Sequence, residues 1–313
     1  MANNHQGDVE HGLNIVRSFA KVVKDRGARA ALKFQFRQLD TFIHQDHHKD
    51  SDHKQVQRFL STRLPWDKFQ ALLDEVRSQG LVTMCTPFDE ASVDIICDMG
   101  FDVIKVASCS GKDWPLLEKA AEADKPVIFS TGGLTLRDID NLVSFFQHRG
   151  VHFAIMHCVA IYPTPDENMN MRQIGLLRSR YPGIHVGWST HESPSDMTPV
   201  QLAVALGAEL FERHVGIATK NSPLNAYSST PEQMAEWISS KQRAQVLCGP
   251  RERQPASAAE QSAIDGLKRG VYAKRKIRKG AVIEDDQIYF AIPYIEGQLD
   301  SGNFKPGIVS KSE

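Results

Sequence analysis

The chain is predicted to be an α/β protein, a (β/α)8 barrel followed by a small β-rich domain. Three observations carry that prediction. From residue 66 onward, short apolar runs alternate with amphipathic stretches, which calls for parallel βαβ units. Seven strands are visible, and a slot before Asn3 remains for an eighth, so barrel closure is the natural arrangement. Polar residues follow nearly every strand and no G-x-G-x-x-G follows any, a pattern that suits a barrel better than the alternative, an open doubly wound sheet.

Residues 1–7 carry polar turn chemistry, and an amphipathic helix is predicted over 9–24. Strand 31–36 sets Lys33 and Gln35 on one face and apolar residues on the other. The stretch 44–53 holds His44, His47, His48 and His53. Their irregular spacing among Lys and Asp reads as an exposed loop on the substrate side rather than a metal site. Then follow helix 66–78, strand 81–85, helix 90–99, strand 102–107, helix 114–123, strand 126–130, helix 136–148, strand 152–157 and helix 171–181. Strands 183–188 and 208–211 flank helix 195–207, and a last helix is predicted over 231–247. The barrel therefore spans 1–248, a polar linker 249–267, and the small domain 268–313, in which 270–284 reads as strand, Lys279-Gly280 turn, strand.

A chain of 313 residues, 41% hydrophobic and 24% charged, has ample core. Its formal net charge of −1 and pI near 6.9, with no basic run beyond Lys274-Arg-Lys276, argue against nucleic acid as the main partner. No stretch has the length and apolarity of a membrane span, and the first residues show no basic region followed by an apolar core, so a protein that is not exported is expected. The five cysteines form no C-x-x-C pair, which fits reduced thiols in a cytoplasmic protein; Cys85 and Cys158 read as small buried hydrophobes.

In a barrel, the C-terminal strand ends converge on one cavity. Here they offer Lys33, Gln35, Thr86, Lys105, Ser108, Ser130 to Gly133, His157, Tyr162, Ser189, His191, Glu212 and His214. Two lysines, several hydroxyls and a Ser-Thr-Gly-Gly turn at a helix start describe an anion site for a phosphorylated or carboxylated substrate. If 183–188 and 208–211 are neighbouring parallel strands, a spacing of about 4.8 Å sets His191 and His214 side by side. Two imidazoles with Glu212 nearby suit an open octahedral Mn2+, Mg2+ or Co2+ site better than closed structural zinc, though a hydrogen-bonded structural pair is the alternative.

The segments Asn3-Asn-His-Gln-Gly, Leu32-Lys-Phe-Gln, Cys85-Thr-Pro-Phe-Asp, Ile104-Lys-Val-Ala-Ser, Phe129-Ser-Thr-Gly-Gly, Met156-His-Cys, Ile161-Tyr-Pro-Thr-Pro, Trp188-Ser-Thr-His and Phe211-Glu-Arg-His, in this order, resemble the sialic acid synthase family. The tail resembles the beginning of the antifreeze-like (SAF) domain of that family. The resemblance implies a cytoplasmic homodimer in surface polysaccharide biosynthesis that condenses phosphoenolpyruvate with an open-chain amino-sugar aldehyde, using a divalent metal, Mn2+ first. It implies that Lys33, Thr86, Lys105, Ser108, Ser130, Tyr162 and Ser189 surround phosphoenolpyruvate. His191 and His214 would bind the metal, Gln35 and Asn225 would face the sugar, and Lys105, Glu212 and His214 would serve the chemistry.

Four departures stand out. The family motif around Asn4-His5 begins with a glutamate that acts on water or the tetrahedral intermediate; aligned here it falls immediately before Met1, so it and the first strand are expected upstream. Val159-Ala160 replaces the Asn-containing part of the family's H-C-T-N-I-Y. Asn225 stands where an Asp contacts the sugar, and Ile292-Pro293 where an Arg-Pro reaches the N-acyl group from the partner subunit. An acceptor other than N-acetylmannosamine follows. Two further readings are a Schiff-base aldolase using Lys105 or Lys33 and a non-catalytic barrel that binds a sugar or a partner.

Overall fold

The computed structural model describes residues 1–49, 51–220 and 223–311, in two compact units, Met1–Gly249 and Pro250–Glu313. In the first, strands β1 (Ala31–Phe36), β2 (Val82–Pro87), β3 (Val103–Val106), β4 (Val127–Ser130), β5 (Phe153–Cys158), β6 (His185–Thr190) and β7 (Leu210–Arg213) form one parallel sheet in chain order. That order has no reversal, so it lacks the switch point of a doubly wound sheet and follows barrel winding. Seven strands are present among the described residues where eight were expected.

Residues 1–7 link the two sheet edges. The Met1 nitrogen donates to Lys33 O of β1 at 2.9 Å. Asn4 Nδ2 donates to Val215 O, just past β7, at 2.8 Å and to Ser228 Oγ at 3.1 Å. A run of tight turns, not a strand, therefore spans the interval between β1 and β7.

The helices lie between the strands as the alternation requires: α1 (Val9–Asp25), α2 (Leu39–Phe42), α3 (Lys54–Ser61), α4 (Trp66–Ser78), α5 (Glu90–Asp98), α6 (Trp114–Glu122), α7 (Leu136–His148), α8 (Gln173–Arg180), α9 (Thr198–Ala205) and α10 (Pro231–Cys248). Their starts obey capping chemistry. Asp8 accepts from two amides of α1, and capping boxes open α7 (Thr135 with Asp138) and α10 (Thr230 with Gln233). α10 packs on α9 and on α1, so the outer helices meet. The core between sheet and helices is aromatic: Phe36 lies 4.7 Å from Phe69 and 5.4 Å from Phe101, and Phe129 stacks on Phe146 at 5.9 Å. Cys85 and Cys158 are buried free thiols.

Three expectations are corrected. β6 and β7 each begin two residues later than 183 and 208, because Gly183 (φ +85°) and Gly207 (φ +90°) still belong to the preceding turns. The stretch 44–53, read as an exposed loop, contains a 3-10 turn over Gln45–His47 and lies between two short helices, α2 and α3. In the second unit, β8 (Gly270–Ala273) pairs antiparallel with β9 (Ile288–Ala291) rather than with the segment after the Lys279-Gly280 turn, whose Val282 bridges Val309 instead. A further helix, α11 (Ala258–Asp265), capped by Ser257, lies inside the stretch read as linker. The last two residues of the small domain, 312 and 313, lie outside the described residues. No helix among the described residues is long and apolar enough to cross a membrane.

Candidate functional site

The alternation of β1 buries Leu32, Phe34 and Phe36 under the helices and turns Lys33 and Gln35 the other way. Parallel register carries that inner face around the sheet: Gln35 pairs with Thr86, Ser130 with Met156, Cys158 with Ser189, and Ser189 with Glu212. The expected lysines, hydroxyls and glutamate meet there. Lys33 Nζ donates to Thr86 Oγ1 at 3.2 Å, and Lys105 Nζ to Ser130 Oγ at 2.5 Å. Both ammonium groups reach one carboxylate, Lys33 at 3.4 Å from Glu212 Oε1 and Lys105 at 3.9 Å from Oε2, while Ser189 Oγ donates to Glu212 Oε1 at 3.1 Å.

Burial dominates the electrostatics. Lys105 is 2% exposed, and desolvation pulls its amine below the ordinary lysine range although Glu212 opposes this. Burial pushes Glu212 up, but Lys105 and Lys33 outweigh it and hold the carboxyl well below the usual range. Glu212 is thus the ionised counter-charge of the lysine pair.

His191 and His214, one step beyond the paired ends of β6 and β7, have ring centroids 5.3 Å apart. His191 Nδ1 donates to Val159 O at 3.0 Å, which leaves the Nε2 lone pair free. Burial lowers His191 to about 4 and His214 well below its usual value, the latter helped by His191 and Lys33, so both rings are neutral at pH 7. Neutral imidazoles with an outward lone pair are metal donors. Among the described residues no group of three or more His, Cys, Asp and Glu is placed to hold an ion. Glu212 is engaged by the lysines. The donor set therefore fits an ion that takes two imidazoles and completes its shell with water or substrate oxygen.

Beneath the histidines, the adjacent residues Glu192 and Arg213 form a buried pair, Nη1 to Oε1 3.2 Å, that ties the ends of β6 and β7. Burial raises Glu192 to about 7 against the pull of Arg213. Tyr162 packs 4.1 Å from the His191 ring, and Tyr227 lies 5.2 Å from both His214 and Tyr162, so two phenols cover the histidines. Burial also raises the Tyr162 hydroxyl, which stays protonated.

Some expectations change. The Ser-Thr-Gly-Gly turn does not offer a row of free amides: Thr131 N donates to Met156 O and Gly132 N to Ser108 Oγ at 3.0 Å. A Cβ on Gly132 would stand 2.7 Å from Ser108 Oγ, so the glycine lets Ser108 close on the turn. The start of α7 is occupied by its own Asp138. His157 donates to Met169 O at 2.8 Å and is structural. Asn225 is bound within the protein, Nδ2 to Asn4 Oδ1 at 3.4 Å, with its Oδ1 accepting from Tyr227 N. Gln35 lines a cavity of about 430 Å³ with Asn3, Arg37, Phe59 and Trp66, adjoining the lysine pair through β1. Sequence reasoning missed Asn4, Arg37 and Tyr227, which lie outside the strands whose periodicity places residues.

Comparison with known proteins agrees with this geometry. Residues 20–253 match the NeuB family. The chain is 44% identical to a Chromobacterium violaceum protein named for spore coat polysaccharide biosynthesis, whose crystal structure superposes with a TM-score of 0.97 over 100% of this chain and 94% of that one. A crystal structure of N-acetylneuraminic acid synthetase from Leptospira borgpetersenii is 26% identical, with a TM-score of 0.74 over 84% of this chain and 88% of that one. An uncharacterized Methanocaldococcus jannaschii protein is 32% identical over 292 residues, 93% of this chain and 82% of its own length.

Proposed function

The chain belongs to the NeuB family, and on that premise we propose that it condenses phosphoenolpyruvate with an open-chain amino-aldose, giving a nonulosonic 2-keto acid and phosphate in polysaccharide biosynthesis. One observation carries the reading: two ammonium groups, Lys33 and Lys105, converge on the single carboxylate of Glu212 beside a pair of neutral histidines. A substrate bearing both phosphate and carboxylate supplies the second counter-charge that the lysines lack. Thr86, Ser130 and Ser189 already orient the lysines and Glu212 by hydrogen bonds, so the charges are fixed before substrate arrives. Ser108, closed on Gly132, and Tyr162, over His191, form the remaining walls.

The reaction joins C3 of phosphoenolpyruvate to the aldehyde carbon. Water adds at C2 and phosphate leaves, so atoms balance without an oxidant. His191 and His214 would hold a divalent ion, Mn2+ by preference, which when bound supplies a Lewis acid for a carbonyl oxygen. Glu212 is the counter-charge that both lysines reach, and the phenols of Tyr162 and Tyr227 pack over the histidine pair. We read the enzyme as a cytoplasmic homodimer and residues 268–313 as antifreeze-like, as in the resembling family.

Calorimetric titration tests this. Phosphoenolpyruvate should bind at one site per chain, and His191→Gln should weaken Mn2+ binding while leaving phosphoenolpyruvate affinity within a few-fold. Absence of phosphoenolpyruvate binding would remove the reading. The lowered amine of Lys105 favours one alternative, a Schiff-base aldolase. Borohydride trapping with pyruvate separates the two, because the condensation forms no imine and should leave the mass of the chain unchanged.

A further inference from the structure

Arg37, just past the end of β1, has a guanidinium 3.6 Å from the Phe88 ring centroid and 4.0 Å from that of Phe59. Aromatic rings satisfy the faces of a guanidinium and leave the N–H donors of its edge unused. Among the described residues Arg37 makes no hydrogen bond or ion pair, and its enclosed Nε has no partner. The carboxylate whose charge acts on it, Asp89, is already taken: Oδ2 accepts from Gln38 N and Oδ1 from Ser92 N. Burial draws Arg37 down only to about 10, so it is charged at neutral pH. A buried, charged, unpaired guanidinium is costly unless something else completes it.

That cation opens on the 430 Å³ cavity that Gln35 and Asn3 also line. Gln35 is two residues from Lys33 on the same strand face, so the cavity begins where the proposed phosphoenolpyruvate site ends. Of the other charged side chains in the wall, Arg63 is paired with Asp40 through two hydrogen bonds of 2.9 and 2.7 Å and Asp67 lies 3.7 Å from Lys68, which leaves Arg37 as the charge without a partner among the described residues. Two amides suit sugar hydroxyls, and an aromatic-clamped guanidinium suits a planar or tetrahedral anion held bidentately.

Resting on the function proposed above, we propose that the acceptor aldose is acidic: it carries a phosphate monoester or a carboxylate remote from its aldehyde, and Arg37 binds that group in this cavity. Arg37 is then a specificity residue for the acceptor and has no part in holding phosphoenolpyruvate. Arg37→Met preserves the length and the contact with both rings while removing charge and donors; Arg37→Lys keeps charge without the fork.

The experiment measures binding of N-acetylmannosamine, its 6-phosphate and its uronic acid to the full chain by calorimetry, then phosphate release from phosphoenolpyruvate with Mn2+ and each sugar. At least one acid should bind about 10- to 100-fold more tightly than the neutral sugar, and which acid wins identifies the group. Arg37→Met should erase that preference, Arg37→Lys should restore part of it, and phosphoenolpyruvate affinity and the melting temperature should stay unchanged. If neither acid binds more tightly than the neutral sugar, or if the preference survives Arg37→Met, the proposal is wrong. Failure of the synthase reading would show separately, as absent phosphoenolpyruvate binding.

Discussion

Lys105 is the residue on which the site depends most, since it is fully enclosed, bonded to Ser130 and shares Glu212 with Lys33. Lys105→Gln removes one of two charges opposite the anionic substrate, and phosphoenolpyruvate affinity measured by calorimetry should fall about 30- to 1000-fold, the range for losing one buried charge-assisted contact. The strand-end residues were legible because strand alternation fixes which side chains share a face. Lys33, Thr86, Lys105, Ser130, Ser189, Glu212 and both histidines meet as that logic requires. What the pattern did not give was pairing. Glu212 was read beside the histidines, yet its hydrogen bonds and ion pairs run to Ser189 and the lysines. Arg37 reaches the cavity, Tyr227 the histidine pair and Asn4 the far sheet edge from loops and turns, whose return in space is set by distant contacts that no local periodicity encodes.

At the scale of elements, the histidine pair requires β6 and β7 to approach closely and in register. Gly187 permits it: a Cβ there would stand 2.6 Å from Leu210 O and 2.7 Å from Leu210 Cβ, a clash with backbone that no rotamer relieves. Gly187→Ala should therefore cost about 1–3 kcal/mol in urea unfolding, the usual penalty of overpacking, and weaken Mn2+ binding by misaligning His191 and His214. On the outer face, Asp140 of α7 accepts from Arg180 Nε at 2.8 Å and Tyr181 Oη at 2.7 Å, which lowers its carboxyl to about 2 from 3.8. Its folded pKa lies below its unfolded one, so this clamp stabilises above pH 4 and is lost as pH falls towards 2. Asp140→Asn should flatten the decline in melting temperature over that window and leave the pH 7–8 region parallel to the wild type. Helix positions were legible from amphipathic spacing and caps. The starts of β6 and β7 were not, because turn glycines extend the preceding loops, nor was the β8–β9 pairing, which spans too long a separation for a turn signal to announce.

For the whole molecule, the sequence fold class holds as a TIM-barrel-like winding of parallel strands, with seven strands instead of eight and a turn segment linking the sheet edges. Asn4 is the link: buried, it donates to Val215 O and Ser228 Oγ and accepts from Asn225. Asn4→Ala leaves the Val215 carbonyl without this donor and should cost about 1–3 kcal/mol, with faster amide exchange along β1 and β7 than along β4. The order of strands was legible because β and α signals alternate without interruption; the linking segment was not, since its bonds to the β7 edge are made by the Asn4 side chain across nearly the full length of the barrel unit. On the function proposed above, this barrel consumes phosphoenolpyruvate only when an aldose is present. The direct measurement is phosphate release from phosphoenolpyruvate with Mn2+, with and without a panel of neutral and acidic amino-aldoses. Release that requires an aldose, stops with chelator and disappears in Lys105→Gln is the predicted result. No aldose-dependent release from a chain that binds both Mn2+ and phosphoenolpyruvate would contradict it.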